Sequence, residues 1–557
     1  MNVAEYLVEY LIELGVTDVF GLPGGVILEF LYSVEKKTPT INAHLSYHEQ
    51  CAGFAACGYA QCSGKLGVAY ATRGPGITNM VTAIADAYYD SIPVLFITAH
   101  DSTETSQSIR IMNNQEMDVV SLVGSISKYV ARIDVIEDAA SKIRIACKLA
   151  LSGRKGPVVL DFDYNVLKSE CIELIRKDEG EDEQLCMIDN SYLDIVKSKL
   201  LKSKRPIIIF GDGVRQGKAE KELREFVEKN HIPALSSRFS QDIIAESSLY
   251  FGYIGSRGLR YSNFILSKAD LIIAIGNRMA YPIHSDSYMS LMNKVDTIRI
   301  DIDATEFERK IPNCINVEAN AYEVLTEMNK NELLYECSNE WVDTCNMLKD
   351  TLFQMDTNEA VEVISSILKR TKDDITIISD VGNNEYWLSR AYALSKSHHK
   401  MFFSKSFGAL GCAVPKAIGS SLSNGKQVLC FVGDQGIQLN IQELMPIFTD
   451  NLPIVIVVLN NYMSGMVRDR ELSRYNKELH TTKESGYHTL NLEKIADAYG
   501  LRYHLWNDTD GHLPVAPCII EVKITDNQLI PFLPKGNAIQ DLAPSLDKTI
   551  YQEMNRS

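Results

Sequence analysis

The sequence lacks a long apolar run, a surplus of positive charge and any close pair of cysteines. Its longest apolar runs, such as Leu452–Leu459, are too short to span a bilayer and predict buried strands. A net charge of −16 argues against nucleic acid or an anionic membrane as the main partner. The 12 cysteines include no CxxC pair, so we expect reduced thiols in a cytoplasmic protein, not disulfides or a zinc site. The first residues place Glu5, Glu9 and Glu13 at helical spacing, which predicts an amphipathic helix rather than a signal peptide.

Short apolar runs alternate with helical patterns along the whole chain. This alternation predicts parallel sheets with helices on their faces. A chain of 557 residues is too long for one core. We therefore predict an α/β fold with three doubly wound parallel-sheet domains, at residues 1–175, 188–345 and 358–557. The acidic stretch at residues 176–184 is predicted to be an exposed linker.

Polar residues follow two buried strands of the third predicted domain. Asp434 comes at the end of one strand, in a turn with Gly433 and Gly436, and Asn461 ends the next strand. Adjacent parallel strands end at the same edge of a sheet, where α/β proteins bind ligands. Hard oxygen ligands beside the amides of a helix start suit Mg²⁺ holding a diphosphate. Either motif alone is also typical of a helix-capping Asp or an Asn-Asn turn, but their spacing together favours the diphosphate site.

These motifs resemble the thiamin-diphosphate signature of 2-oxo acid decarboxylases and carboligases. The resemblance departs at Gln435, where the family usually has glycine. Other stretches, in the same order along nearly the whole chain, are similar to the acetolactate synthase branch. They are GLPGGVI (21–27), YHEQCAGFAACGYAQCSGKLGV (47–68), RGPGITN (73–79), GALGCAVPKAIG (408–419), QLNIQEL (438–444) and GMVRDRE (465–471).

The resemblance implies a pyrimidine-binding domain, a central Rossmann-like domain and a diphosphate-binding domain. It also implies thiamin diphosphate and Mg²⁺ as cofactors, and a homodimer or homotetramer with active sites between subunits. Alone, Glu49 is typical of an exposed helix residue; by resemblance it is the glutamate that hydrogen-bonds the cofactor's aminopyrimidine and activates it. Gln115 and Lys128 match two polar positions of the active site, although ordinary exposed polar residues would look the same.

Further roles are implied by the same resemblance. The metal ligands would be Asp434, Asn461 and the carbonyl of Met463. Residues implied to contact the cofactor are Pro23, Gly24, Gly382, Asn383, Gly408, Leu410, Gly433, Gln435, Gly436 and Met466. Leu410 stands where acetolactate synthases usually have methionine.

The central domain binds FAD in acetolactate synthases and ADP in an oxalyl-CoA decarboxylase-like relative. In this chain GDGVRQG (211–217), YIGSRG (253–258) and GNR (276–278) fall where flavin-contacting loops are expected. Glycine-rich turns after strands are weak evidence by themselves. FAD, ADP and an empty cleft therefore remain open.

Three departures from acetolactate synthases affect the site of the acceptor substrate. Asn114 replaces a phenylalanine and Arg470 replaces a tryptophan. The stretch AYPIH (280–284) lacks an arginine that would pair with the acceptor's carboxylate. Residues 536–548 resemble the tails of related proteins linked to surface-polysaccharide synthesis, some of which transfer an acetyl unit to a keto-sugar nucleotide.

We therefore expect a carboligase that decarboxylates a 2-oxo acid, with pyruvate as the expected donor. The two-carbon unit would pass to a carbonyl acceptor such as a keto-sugar nucleotide. The alternatives are a true acetolactate synthase of branched-chain amino-acid synthesis, a simple 2-oxo acid decarboxylase and a catalytically silent subunit. Intact Glu49, Asp434 and Asn461 argue against a silent subunit.

Overall fold

A computed structural model describes residues 1–101, 114–170, 191–280, 286–330, 335–355, 357–371, 374–509, 511–525 and 528–556. The predicted linker at 176–184 and residues 281–284 of the acceptor stretch lie outside the described residues. Three six-stranded sheets with flanking helices confirm the predicted α/β fold class. In the described ranges, no helix has both the length and the apolar character needed to cross a membrane.

The first sheet has the strand order β2-β1-β3-β4-β6-β5, and all its strand pairs are parallel. Its strands are β1 (Asp18–Gly21), β2 (Asn42–Leu45), β3 (Gly67–Tyr70), β4 (Val94–His100), β5 (Tyr129–Ile133) and β6 (Val158–Asp163). Its helices are α1 (Val3–Glu13), α2 (Leu28–Glu35), α3 (Glu49–Ser63), α4 (Pro75–Asp90), α5 (Val119–Val123), α6 (Ile136–Leu151) and α7 (Tyr164–Lys168). Strands β3, β4 and β6 are buried throughout, as expected of a parallel sheet covered on both faces.

The second sheet has the order β12-β11-β10-β7-β8-β9, again with parallel pairs. Its strands are β7 (Pro206–Phe210), β8 (Ala234–Ser236), β9 (Tyr250–Tyr253), β10 (Leu271–Ile275), β11 (Asp296–Asp301) and β12 (Cys314–Glu318). Its helices are α8 (Ser191–Lys202), α9 (Gly213–Gln216), α10 (Glu220–Lys229), α11 (Arg260–Lys268), α12 (Asp286–Met292), α13 (Ala321–Lys330), α14 (Asn339–Leu352) and α15 (Glu359–Lys369). Read from β9, this is the order of a Rossmann fold, as predicted for the central domain.

The third sheet, β14-β13-β15-β16-β18-β17, repeats the strand order of the first. Its strands are β13 (Thr376–Ser379), β14 (Lys400–Phe403), β15 (Val428–Gly433), β16 (Ile454–Asn460), β17 (Arg502–Leu505) and β18 (Cys518–Lys523). Its helices, and the last helix of the chain, are α16 (Asn383–Ser395), α17 (Ala413–Asn424), α18 (Gly436–Leu439), α19 (Leu444–Thr449), α20 (Gly465–Tyr475), α21 (Leu492–Ala498) and α22 (Lys548–Arg556).

The chain forms two compact units. One unit holds the first and third sheets, in residues 1–183, 372–385 and 402–527, and the other holds the second sheet, in residues 184–371, 386–401 and 528–557. In the second unit the buried guanidinium of Arg260 donates to the carbonyls of Leu542 and Pro544, which ties the C-terminal segment to α11. The domain boundaries predicted near residues 175–188 and 345–358 stay predictions.

The small residues after Glu49 allow two helices of the first unit to cross closely. A side chain at Gly58 of α3 would collide with the backbone carbonyl of Lys416, and one at Gly419 of α17 with the carbonyl of Ala55. Because both contacts are with backbone, neither can be relieved by moving a side chain. The crossing fixes α3, and so the position of Glu49 at its start.

Candidate active site

Glu49 is the first residue of α3, where the loop after β2 turns into the helix. His48 caps the helix by accepting a hydrogen bond from the amide of Gln50. The Glu49 side chain is buried, and its Oε2 accepts a hydrogen bond from Asn79 Nδ2 at 2.9 Å. This bond and the helix N-terminus offset part of the cost of burying the carboxylate. Asn79 lies inside the quoted RGPGITN motif, but sequence reasoning gave it no role.

Loops from three strands of the first sheet gather around Glu49. Gly76, in the first turn of α4, lies beside Glu49 Oε1, and Gly74, in the loop after β3, packs against the backbone of Gln115. Gly24, in the loop after β1, packs against the side chain of Thr72 in the loop after β3, and Pro23 before it is exposed. The structure therefore brings Gln115 and Gly24 to the loop that lines Glu49.

Lys128 lies at the other edge of this sheet. It immediately precedes β5, so it stands at the amino ends of the parallel strands, whereas Glu49 follows a carboxyl end. Its Nζ donates to the carbonyls of Leu149 and Ser152 at 2.5 and 2.9 Å. A cation there satisfies the last carbonyls of α6 and the negative end of its dipole. The structure does not bring Lys128 to Glu49 within this chain, and we interpret it as a residue that caps α6.

Asp434 follows β15 and is buried, with its Oδ1 accepting from the amide of Gln435 at 3.1 Å. Burial raises the pKa of its carboxyl to about 6, and the nearby hydroxyl of Tyr487 offsets part of the rise. By distance and angle, neither Oδ2 nor the nearby hydroxyl of Tyr487 has a hydrogen-bond partner among the described residues, although both atoms are buried. A carboxylate oxygen left without a partner in a protein interior is costly. A bound cation would remove that cost, so the residues present fit Mg²⁺.

The register of β15 and β16 confirms that the two motifs leave the same edge of the sheet. Gly433 pairs with Leu459, so Asp434 and Asn461 continue from neighbouring parallel strands at their carboxyl ends. Asn461 is buried. The prediction that these two strands are parallel neighbours is confirmed, and the role of the two side chains as metal ligands stays a prediction.

Glu521 of β18 anchors the turn that contains Asn461 and Met463. Its Oε1 accepts from Asn460 Nδ2 at 2.7 Å and from the hydroxyl of Tyr462 at 3.4 Å. Tyr462 has a φ of +57°, which side chains adopt only where their surroundings hold them. Glu521 had no signal in the sequence, because its partners come from another strand far along the chain.

Asp380 gathers the loops of the third sheet. Its Oδ1 accepts from the amides of Val381 and Gly411 at 2.7 and 2.9 Å, and a side chain at Gly436 would press against its carboxyl. Burial raises its pKa to about 6. Gly382 beside it has a φ of +137°, which glycine tolerates best. Asp380 thus brings together the loops that carry the predicted residues Gly382, Asn383, Gly408, Leu410, Gly433, Gln435 and Gly436.

The loops of the two sheets in this unit are joined by Asn440 and Glu443. Cys51 Sγ donates to Asn440 Oδ1 at 3.1 Å, and Asn440 Nδ2 donates to the carbonyl of Gly411 at 2.7 Å. The amide of Tyr47 donates to Glu443 Oε1 at 2.8 Å. Burial raises the pKa of Glu443 to about 7. Both residues belong to the quoted QLNIQEL stretch, so buried polar residues inside a motif were the signal that could have found them.

Three family models match the chain in the order of its sheets. Their descriptions are "Thiamine pyrophosphate enzyme, N-terminal TPP binding domain" at residues 1–122, "central domain" at 193–328 and "C-terminal TPP binding domain" at 380–514. The chain belongs to the thiamine pyrophosphate enzyme family. The predictions of the family and of thiamin diphosphate as a cofactor are therefore confirmed.

Relatives that match almost the whole chain indicate which branch of the family it resembles. The chain is 32% identical to "Acetolactate synthase large subunit" of Lactococcus lactis subsp. lactis, over 96% of this chain and 94% of that protein. It is 28% identical to "Acetolactate synthase isozyme 1 large subunit" of Escherichia coli K12, over 96% of both chains. It is 29% identical to "Probable acetolactate synthase large subunit" of Methanococcus aeolicus, over 98% and 96%. The chain is an acetolactate synthase-like, thiamin-diphosphate-dependent enzyme.

Helix α20 of this thiamine pyrophosphate enzyme presents two residues of interest on one face. Met466 and Arg470 are four residues apart, so they lie one helical turn from each other. Met466 is partly buried and Arg470 is exposed. Met463 lies in the turn just before the helix, whose start is held by a hydrogen bond from the amide of Ser464 to the carbonyl of Thr481.

The glycine-rich loops of the central domain have a packing role of their own. Side chains at Gly211 or Gly213 would collide with the backbone of Gly276, and the amide of Gly213 donates to the carbonyl of Gly276 at 3.0 Å. Asn263 clamps the turn at Gly255 through hydrogen bonds to its amide and its carbonyl at 3.1 and 3.0 Å. These glycines are explained without a nucleotide, so FAD stays a prediction.

Proposed function

We propose that this enzyme decarboxylates pyruvate and ligates the resulting two-carbon unit to a carbonyl acceptor. When bound, thiamin diphosphate supplies the nucleophilic carbon and the electron sink that decarboxylation of a 2-oxo acid requires. The observation that carries the proposal is the buried Oδ2 of Asp434, which has no partner among the described residues. It supports a bound cation at the edge where the family's diphosphate motif lies.

The chain's own residues divide the work. Glu49, held by Asn79, would form a hydrogen bond to the cofactor's pyrimidine and hold a proton there. Asp434, Asn461 and the carbonyl of Met463 would hold Mg²⁺, an ion that prefers oxygen ligands. Leu410, an apolar side chain between Ala409 and Gly411, would support the cofactor and exclude water from it.

The assembly is proposed to be a homo-oligomer with active sites shared between subunits. Several large apolar side chains near the loops described above are exposed in the single chain, namely Tyr47, Leu410, Leu439 and Tyr462. A monomer rarely leaves several such residues in water close to one site. Sedimentation of the purified protein tests this, and a monomer at all concentrations would contradict it.

Two acceptors are candidates. The relatives support a second 2-oxo acid, as in acetolactate synthesis, at least as well as any other acceptor. Asn114 and Arg470 support a different one, because they replace two aromatic residues with polar ones. Arg470 lies on the same face of α20 as Met466, and its guanidinium suits a phosphate better than an apolar wall does.

The acceptor is tested with pyruvate as the common donor. Products from pyruvate alone are compared by mass spectrometry with those from pyruvate plus aldehydes, ketones or 4-keto-sugar nucleotides. We expect ligation to a neutral or phosphorylated carbonyl compound to exceed pyruvate self-condensation. Arg470→Trp should shift the product ratio toward acetolactate by about ten-fold, the value of one charge-assisted hydrogen bond. Arg474→Trp, one turn further along the exposed part of α20, should leave the ratio unchanged.

The same measurement separates the alternatives. Fast, saturable acetolactate formation with no other product identifies a true acetolactate synthase and contradicts our interpretation of Arg470. Release of free aldehyde with no ligation identifies a simple decarboxylase. No consumption of pyruvate or any other 2-oxo acid, with the cofactor bound, identifies a silent subunit.

Flavin in the central domain is tested by colour. If FAD is bound, the purified protein is yellow and releases flavin absorption on denaturation. A colourless protein that takes up no added FAD leaves ADP, or no nucleotide, as the remaining candidates.

A further inference from the structure

Two carboxylates of α4 hold the loop that follows β14. Asp90, the last residue of α4, accepts hydrogen bonds from two successive backbone amides. Its Oδ2 accepts from the amide of Lys405 at 2.6 Å and its Oδ1 from the amide of Ser406 at 2.7 Å. The Asp90 side chain is buried, so both bonds are shielded from water.

Asp86, one turn earlier, holds the same loop through a side chain. The hydroxyl of Ser404 donates to Asp86 Oδ1 at 2.5 Å and accepts from the amide of Ala409 at 2.9 Å. The ammonium of Lys416 pairs with Asp86 Oδ2 at 2.7 Å, and both side chains are fully buried. The Ser404 hydroxyl therefore joins the two ends of the loop, and Asp86 fixes the position of that hydroxyl.

A third contact lies at the tip of the loop. The rings of Tyr89 and Phe407 stack with centroids 5.6 Å apart and an interplanar angle of 3°. Gly408 follows at a φ of +69°, and Leu410 comes two residues later. The residues from Ser404 to Phe407 are thus held directly by one helix, and Ala409 is held through Ser404.

The stability of the fold does not by itself explain why α4 holds the loop after β14 with two buried carboxylates. Burial raises the pKa of Asp90, and the neighbouring Asp86 raises it further. Asp86 forms an ion pair with the buried ammonium of Lys416, and the charges of Lys405 and Lys416 both act on Asp90. An apolar contact of the same volume would often be at least as stable as a buried ion pair. What the carboxylates add is direction, because each acceptor oxygen fixes the position of one donor of the loop.

We propose that Asp90 and Asp86 are positioning residues for the cofactor's aminopyrimidine and thiazolium rings. They act by holding the loop that presents the carbonyl of Gly408 and the side chain of Leu410. This inference rests on the proposed placement of those two residues against the cofactor. The residues proposed to bind the diphosphate and the metal lie on other loops. Binding of the cofactor's rings should therefore depend on Asp90 more than binding of its diphosphate does.

The test is Asp90→Asn in the full-length protein, with two probes measured by calorimetry. One probe is thiamin diphosphate with Mg²⁺, and the other is inorganic pyrophosphate with Mg²⁺, which has no rings. The asparagine side chain has one acceptor oxygen, whereas the backbone amides of Lys405 and Ser406 need two, so one hydrogen bond is lost and the loop loosens. We expect at least a ten-fold weaker affinity for thiamin diphosphate and less than a two-fold change for pyrophosphate. Asp138→Asn, on the exposed face of α6, is the matched control and should change neither.

Each other outcome is decisive. Wild-type affinity of Asp90→Asn for both probes overturns the inference, as does an equal loss for both, which would mark a general structural role. If Asp90→Asn does not fold, Tyr89→Leu decides, because Tyr89 is exposed; it must weaken thiamin diphosphate selectively by at least two-fold, and unchanged binding overturns the inference. Failure of the wild-type protein to bind thiamin diphosphate would instead contradict the proposed function.

Discussion

Glu49→Gln is expected to lower the rate of pyruvate decarboxylation by at least a hundred-fold while leaving thiamin diphosphate bound. Glutamine has the same shape, and its carbonyl oxygen can still accept the hydrogen bond from Asn79 that Glu49 accepts now. What is lost is the carboxylate's ability to hold a proton at the pyrimidine, and positioned acid–base groups contribute about 10²- to 10⁴-fold. Asp434 and Asn461 are untouched, so metal and diphosphate contacts should survive.

The measurement pairs single-turnover decarboxylation with calorimetry of cofactor binding. The matched control is Glu137→Gln, since Glu137 also lies in the first turn of a helix of the first sheet but is exposed. A wild-type rate for Glu49→Gln would contradict the role given to this residue. Loss of cofactor together with activity would mean that Glu49 serves binding rather than activation.

Strand order made part of the site predictable. Asp434 and Asn461 each follow a buried apolar run, and the ends of adjacent parallel strands must meet at one edge. The same reasoning applied to Lys128 gives a different position, and its role in the active site stays a prediction. It precedes its strand, so it belongs at the amino edge, opposite the one where such sheets bind ligands.

Two supporting residues outside the motifs could not be predicted, because their partners are distant in the sequence. Asp380 meets Gly411, and Asp90 meets Lys405. Each is a carboxylate that accepts from backbone amides, and any residue can supply a backbone amide. No residue type at either end therefore marks the contact, and only the fold shows that these acids are buried and have a function in the loops.

Asp434→Ala is expected to lose Mg²⁺ and thiamin diphosphate together, with an affinity at least a hundred-fold weaker by calorimetry. Asp434 would supply a carboxylate ligand to Mg²⁺, and the diphosphate would bind through that ion, so removal of the carboxylate should affect both. The cofactor-free protein should keep its melting temperature or gain a little, because the substitution removes a buried carboxylate oxygen that lacks a partner among the described residues.

This pairing of effects separates a ligand-binding Asp434 from a structural one. A ligand at a hundred times its dissociation constant stabilises a protein by about 2.7 kcal/mol. The melting temperatures are therefore compared at a cofactor concentration one hundred times the dissociation constant of the wild-type protein. The cofactor should raise the melting temperature of the wild type and leave that of Asp434→Ala almost unchanged. Asp450→Ala, an exposed aspartate before β16, should behave as the wild type. If Asp434→Ala instead lowered the melting temperature of the cofactor-free protein and left cofactor affinity unchanged, Asp434 would be a helix-capping residue and the metal site would lie elsewhere.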